Sequence, residues 1–171
     1  MIHINIGSNL NSNYGSKFDN ITIAIDLLIM EKLKVKNISN FYETPSYPNR
    51  KLPKFLNIGI KAEYKGNFQM LIKKIKLIEK KIGRIKTKKN DPRVIDIDII
   101  DFNKMIHKEN NLILPHPKCH LRNFVLFPIM EIDPFWSHPI LKKSAQYLIN
   151  KLSQKSRIEI TKMNKNVNIR L

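Results

Sequence analysis

The sequence predicts an α+β domain, a ferredoxin-like antiparallel sheet with helices packed on it in a three-layer α/β/α arrangement. Three observations carry that expectation. Segments with apolar residues at every second position and segments with apolar residues at helical spacing follow one another as strand, helix, strand, strand, helix, strand. Hydrophobic residues form 42% of the 171, enough to bury a core. No Gly/Ser linker and no internal repeat divides the chain, so one domain is expected over residues 1–162, followed by a polar tail at 163–171.

The elements read in order as follows. Ile2, Ile4 and Ile6 alternate with polar residues in a first strand, ended by Gly7-Ser8-Asn9. Asp19 to Lys32 carries Ile21, Ile25 and Leu28 at helical spacing. Val35 to Tyr42 reads as one strand, stopped by Thr44-Pro45. Ser46 to Pro53 is a loop with two prolines, and Phe55 to Tyr64 alternates again. Phe68 to Ile82 is an amphipathic helix with Leu71, Ile75, Ile78 and Ile82 on one stripe and Gly83 as its C-cap. A lysine-rich loop from Arg84 to Asp91 leads to a strand at Val94–Phe102. A short extended piece ends at Pro115-His116; helices are expected at Leu121–Met130, where Pro128 disturbs the run, and at Leu141–Leu152.

Composition narrows the class. No run of roughly 18 apolar residues appears, and Met1 to Ile6 enters a strand pattern without a basic leader, so neither a membrane span nor a signal peptide is expected. A single cysteine, Cys119, excludes an internal disulfide and fits a reducing cytoplasm. The net charge of +17 admits two readings, a solvated lysine surface or a track for a phosphate backbone. Either suits an anionic small substrate such as ATP. An RNA-binding module is the competing class, but the Lys/Arg-Gly-Phe strand motif of such modules is missing. No nucleic-acid or membrane partner is expected, and the chain is expected to act as a monomer.

The sharpest local feature is Pro92-Arg93-Val94-Ile95-Asp96-Ile97-Asp98-Ile99. On a strand, residues i and i+2 share a face and lie about 6–7 Å apart. Asp96 and Asp98 therefore project together while Ile95, Ile97 and Ile99 face the core; Asp101 falls off that face. Adjacent ionised carboxylates repel unless a cation sits between them. Hard oxygens together with nucleotide phosphates are what Mg²⁺ takes. The alternative is a solvated acidic strand face. Arg93 precedes the pair, and Arg84, Lys86, Lys88 and Lys89 lie just before it, where cations could meet phosphate oxygens or only water. His116 and Arg122, six residues apart near a turn, are further phosphate-binding candidates. Phe55 and Asn57 share a strand face, an aromatic ring beside an amide, which suits a flat heteroaromatic ligand; a core ring beside an edge amide is the plainer reading. His3, His107 and His138 read as structural or exposed, and His120 has no partner that the sequence identifies.

Together these segments resemble the hydroxymethyl-dihydropterin pyrophosphokinase family of folate biosynthesis. The resemblance is collinear from Ile4-Asn5-Ile6-Gly7-Ser8-Asn9-Leu10 to about Pro134. It runs through Phe41-Tyr42-Glu43-Thr44-Pro45, Phe55-Leu56-Asn57, Glu79 to Arg84, the Asp96–Asp98 segment, Pro115-His116 and Arg122-Asn123-Phe124. It implies that pyrophosphate passes intact from ATP to the pterin hydroxymethyl group, leaving AMP, with two Mg²⁺ held by Asp96 and Asp98. Arg93, Asp96 and Asp98 would be catalytic. Phe55 and Phe124 would sandwich the pterin, Asn57 would bond its edge, and Gly7, Thr44, Pro45 and Asp96 would complete that site. Glu79, Arg84, Lys86, Arg93, Ile99, His116 and Arg122 would line the nucleotide site. The loops at 46–53 and 86–91 would close over both. The chain departs from the family pattern at Lys86, where arginine is common, at Asn90, where tryptophan is, and at Pro117, where tyrosine is frequent.

Overall fold

The computed structural model describes residues 1–85, 91–109, 112–165 and 167. Lys86, Asn90 and the rest of the lysine-rich stretch 86–90 lie outside the described residues. Strand β1 (Ile2–Ser8) leads to helix α1 (Lys17–Met30), then strands β2 (Lys34–Ile38), β3 (Tyr42–Thr44) and β4 (Phe55–Glu63). Helix α2 (Phe68–Ile82), strand β5 (Asp96–Phe102) and a two-stranded pair, β6 (His107–Glu109) with β7 (Leu112–Leu114), follow. Helices α3 (Asn123–Ile132), α4 (Ala145–Lys151) and α5 (Gln154–Ile158) and a short strand β8 (Thr161–Lys162) complete the chain. Among the described residues no helix is long and apolar enough to cross a membrane.

The main sheet runs β5-β1-β4-β3-β8, with β2 pairing the other half of the same β4 edge, and every pairing is antiparallel. Helices cover both faces. On one face α1 and α2 supply Ile21, Ile25, Leu28, Leu71, Ile75 and Ile78 to a core shared with Ile4, Ile58 and Ile97. On the other, α3 and α4 supply Val125, Leu126, Ile129 and Leu148, packed with Ile100 and Trp136. The three-layer α+β architecture is therefore the one the sequence predicts.

Local signals explain most boundaries. Ser16 and Asp19 form a capping box, so α1 starts at Lys17 rather than Asp19 and ends at Met30. Asn67 caps α2, and Gly83 closes it in the left-handed conformation at φ 105°. Strand β5 begins at Asp96, two residues later than expected, although Ile95 is fully buried.

Three expectations fail for physical reasons. The single strand predicted over Val35–Tyr42 is broken: Ser39 Oγ accepts the Gly59 N–H, and the Asn40 N–H turns away to Glu131 Oε1, so β2 and β3 are separate pieces. The helix predicted at Leu121–Met130 starts at Asn123, after a 3₁₀ turn at Cys119–Leu121, and runs through Pro128 to Ile132. The helix predicted at Leu141–Leu152 is shorter, α4, because Ser144 caps it only from Ala145, and the chain leaves helical geometry at Leu152 before Ser153 caps the unpredicted α5 beyond it. Beyond them, the Met163 N–H donates to Phe41 O at 2.8 Å, and the Met163 side chain packs on the first core.

Candidate active site

In an antiparallel sheet, directly paired residues share a face. Asp96 pairs with Gly7, Gly7 with Asn57, and Asn57 with Tyr42, which makes one row across four strands. The next rows place Asp98 opposite Asn5, and Phe55 opposite Thr44. Carboxylates and amide therefore sit on one continuous surface, the one covered in part by α3. Between Ile4–Ile99 and His3–Asp101 the register slips by one residue. That bulge brings Asp101 onto the face of Asp96 and Asp98, contrary to the simple alternation. There it is fully buried and accepts the Trp136 Nε1–H at 2.9 Å.

The two aspartates are held by different groups. Arg84 reaches Asp96 at 2.7 Å and Arg93 reaches it at 3.0 Å. Arg84 also pairs with Glu79, whose Oε1 accepts the Ile97 N–H at 2.8 Å. Asp98 faces Arg122 at 3.6 Å and His116 at 4.0 Å, and these two lie 3.5 Å from each other. The backbone sets these placements: the His116 N–H donates to Ile100 O at 2.9 Å. Arg122 is the N-cap of α3 and lies over the Phe124 ring, 5.4 Å from its centroid.

Electrostatics follow from this layout. Burial pushes the Asp98 carboxyl up to about 7, and Asp96 beside it adds to the rise against the pull of Arg122. The Asp98 side chain still keeps 31% of its surface open, so a ligand can reach it. Burial, with Arg122 next, pushes the His116 imidazole down to about 4, so it is neutral near pH 7. Burial also raises the Glu79 carboxyl, against Arg84. For Arg84, burial opposes the charge, and Asp96 and Glu79 more than offset it, so its pKa is raised.

A cavity of about 410 Å³ opens over this cluster, with Glu79, Arg84, Asp96, Asp98, Ile99 and His116 in its wall. Pro117 and β7 form its far side. Gly7, Thr44, Asn57 and Phe55 lie along the sheet beside it. Asn57 Nδ2 donates to Thr44 Oγ1 at 3.2 Å, and both residues are buried. A Cβ on Gly7 would stand 3.0 Å from Asn57 Oδ1 and 3.7 Å from the Phe55 ring, so only glycine leaves that surface open.

Phe124 is positioned by a residue the sequence does not advertise. Pro128 lacks the N–H that would bond the Phe124 carbonyl one helical turn back. The Asn5 amide, from the row of Asp98, faces that carbonyl at 2.9 Å and Ile58 O at 3.1 Å; two acceptors assign the atom facing them as its nitrogen, which donates to both. Asn123 Nδ2 adds a bond to Ser156 O at 2.6 Å. Asn5 and Asn123 were not among the expected site residues. In the sequence Asn5 is one polar residue of an alternating strand, and only the burial of that strand on both faces sets it apart.

A second cluster lies under the α3–α4 layer. Cys119, His120 and His138 bring ligand-type atoms within 4.8 Å of one another. His138 Nδ1 accepts the N–H groups of Ile140 and Leu141, each at 3.2 Å, which fixes its proton on Nε2. His138 is thereby committed to shaping its own turn and is poorly prepared to ligate a metal. His3, also buried, bonds Asp133 at 2.9 Å.

Residues 3–134 match the family model described as 7,8-dihydro-6-hydroxymethylpterin-pyrophosphokinase. The chain is 37% identical over 134 residues to the 2-amino-4-hydroxy-6-hydroxymethyldihydropteridine pyrophosphokinase of Aquifex aeolicus, spanning 78% of this chain and 83% of that protein. It is 38% identical over 142 residues to the folic acid synthesis protein FOL1 of Dictyostelium discoideum; that match takes in 80% of this chain but only 22% of the much longer relative. The crystal structure of wild-type Plasmodium falciparum HPPK-DHPS shares the fold at a TM-score of 0.66 and 16% identity, over 94% of this chain and 47% of that one. Taken with the collinear motifs, these matches show that the chain belongs to the 7,8-dihydro-6-hydroxymethylpterin-pyrophosphokinase family.

Proposed function

We propose that this chain transfers the terminal pyrophosphoryl group of ATP to the hydroxymethyl group of 6-hydroxymethyl-7,8-dihydropterin, giving AMP and the pterin diphosphate for folate synthesis. The observation that carries this reading is the Asp96–Gly7–Asn57 row, which joins a carboxylate pair ringed by three arginines to an amide-and-aromatic surface. In the reaction the hydroxymethyl oxygen forms a bond to Pβ and the bridge between Pα and Pβ breaks. The hydroxyl proton leaves to solvent, and AMP departs with the bridging oxygen.

The donor set fits magnesium. Asp96 and Asp98 offer hard oxygens on one face, and the raised Asp98 carboxyl marks a charge that lacks full compensation. We assign two Mg²⁺ to this pair. When bound, they would neutralise phosphate charge and polarise the attacking hydroxyl. The chain's own groups do the rest. Asn57 and Thr44 hold the pterin edge, with Pro45 beside them, and Phe55 and Phe124 hold its faces. Arg84, Arg93 and Arg122, which pair with the aspartates in the free protein, take phosphate oxygens when substrates arrive. Neutral His116 donates to the nucleotide side without adding charge, and Ile99 and Glu79 shape the wall of that site. Positioning and charge stabilisation dominate such transfers. The role of Lys86 stays with the resemblance. A monomer acting on small molecules in the cytoplasm completes the proposal.

The test is the nucleotide product. Incubation with ATP, Mg²⁺ and hydroxymethyl-dihydropterin should release AMP in step with pterin loss; ADP as the product would refute the transfer. Asp98→Ala should abolish turnover while circular dichroism stays native.

A further inference from the structure

The Ile6-Gly7-Ser8-Asn9 segment has a second task that the reaction above leaves unassigned. Asn9 is 1% exposed, and both of its amide donors and its amide oxygen are engaged between two parts of the site. Its Nδ2 donates to Pro53 O at 3.1 Å and to Ser46 Oγ at 3.3 Å. Ser46 Oγ in turn donates to Pro53 O at 2.5 Å. Ser46 and Pro53 are the two ends of the loop between Thr44-Pro45 and Phe55, so one amide pins both stems of that loop. At its other end, Asn9 Oδ1 accepts the Arg93 N–H at 2.7 Å, and the Asn9 N–H donates to Arg93 O at 3.1 Å. The residue after Arg93 is fixed independently, with Val94 O accepting from Ser8 Oγ at 2.6 Å and Asn20 Nδ2 at 3.2 Å.

We infer that Asn9 is a positioning residue that sets the backbone of Arg93 and the base of the 46–53 loop relative to each other, so the nucleotide-side arginine and the pterin-side loop share one buried anchor. The inference rests on the proposed reaction for what the two parts bind. The anchor itself is a property of the free protein. Its two ends are chemically separable. Asn9→Asp keeps an acceptor for the Arg93 N–H and loses the donor to the loop. Ser46→Ala weakens the loop end and leaves the Arg93 end alone. Asn9→Ala removes both side-chain links and keeps only the backbone bond from the Asn9 N–H to Arg93 O.

Amide hydrogen exchange in the unliganded protein reads the anchor directly. Asn9→Ala should speed exchange at both Arg93 and the loop stems, whereas Ser46→Ala should speed it at the stems only, with Arg93 unchanged. Steady-state kinetics should split the same way. Ser46→Ala and Asn9→Asp should raise the KM for the pterin about tenfold with the KM for ATP near the parent's, and Asn9→Ala should raise both and lower kcat by about tenfold or more. Arg93 exchange that does not respond to Asn9→Ala would overturn the inference, whatever the activity. Equal changes in both KM values for Ser46→Ala would overturn it too. A folded parent with no turnover would sink the proposed reaction, and the exchange data would still decide the anchor.

Discussion

Asp98 shows how one residue's surroundings become a measurable property. The unfolded chain releases that proton near about 3.9, whereas the folded site holds it up to about 7. Between those values the folded state binds more protons, so this carboxyl weakens the fold as pH rises through the window. His116 acts in the opposite sense: its folded pKa is lowered to about 4, so it strengthens the fold as pH rises from there through the ordinary histidine range. Asp98→Asn removes the first effect and leaves His116 in place. In metal-free buffer the variant's urea midpoint should gain on the parent's from pH 4 to about 7 and level off above; a difference independent of pH would contradict the raised carboxyl. The proposed magnesium would compete with the same proton, so stabilisation of the parent by added Mg²⁺ should grow over that range. The placement of Asp96 and Asp98 was legible in the sequence, because a period of two is all that it needs. The placement of Asp101 was not, because a bulge between Ile99 and Asp101 shifts the alternation by one and nothing in an Ile-Ile-Asp string announces it.

Among the elements, helices with strong caps and stripes were legible, and α2 matches its predicted span from Phe68 to Ile82. Elements decided by tertiary contacts were not. The break between β2 and β3 depends on Glu131, ninety residues away, which accepts from Asn40 N at 3.0 Å, Asn40 Nδ2 at 2.7 Å and Tyr42 Oη at 2.6 Å. Glu131→Ala would strand those donors and should lower stability by about 1–3 kcal/mol in denaturant titrations. Burial raises the Glu131 carboxyl, but the bonds from Tyr42 and Asn40 prevail and hold it below its ordinary value. Its contribution is therefore present above the ordinary glutamate pKa and lost as pH falls through the folded one, so the gap between parent and variant should shrink in acid. An undiminished gap would show that the carboxylate charge is not what holds β3. Helix α3 depends on space as well as bonds: a Cβ on Gly59 would lie 2.8 Å from Pro128 Cβ and 3.3 Å from the Pro128 carbonyl carbon. Gly59→Ala should cost about 1–3 kcal/mol by overpacking, with an unchanged denaturant slope. A neutral result would mean that α3 rides freely on the sheet.

At the scale of the whole molecule, the layer order was legible and the path of the C-terminal segment was not. Short, polar and lysine-rich, it carries no periodic signal, yet it grips the β3 side of the sheet, the proposed pterin side, at several points. Strand β8 pairs with β3 through Tyr42 and Glu43, Lys162 reaches Glu131 at 3.3 Å, Glu159 pairs with Arg50, and Ser156 O takes the Asn123 amide. A chain ending at Leu152 should therefore lose pterin affinity more than nucleotide affinity, measured by calorimetry with each ligand alone; an equal loss would assign the segment to general stability. The charge of +17 sets the other molecular property. Nucleotide binding should weaken steeply as salt is raised, because a basic surface attracts an anion over about a Debye length. The proposed reaction requires that two phosphates move as a unit across the Asp96–Asp98 face. The most direct measurement is a reaction with ATP labelled at Pβ. The account predicts that the label appears wholly in the pterin product while the released nucleotide is unlabelled AMP, and label recovered in ADP would contradict it.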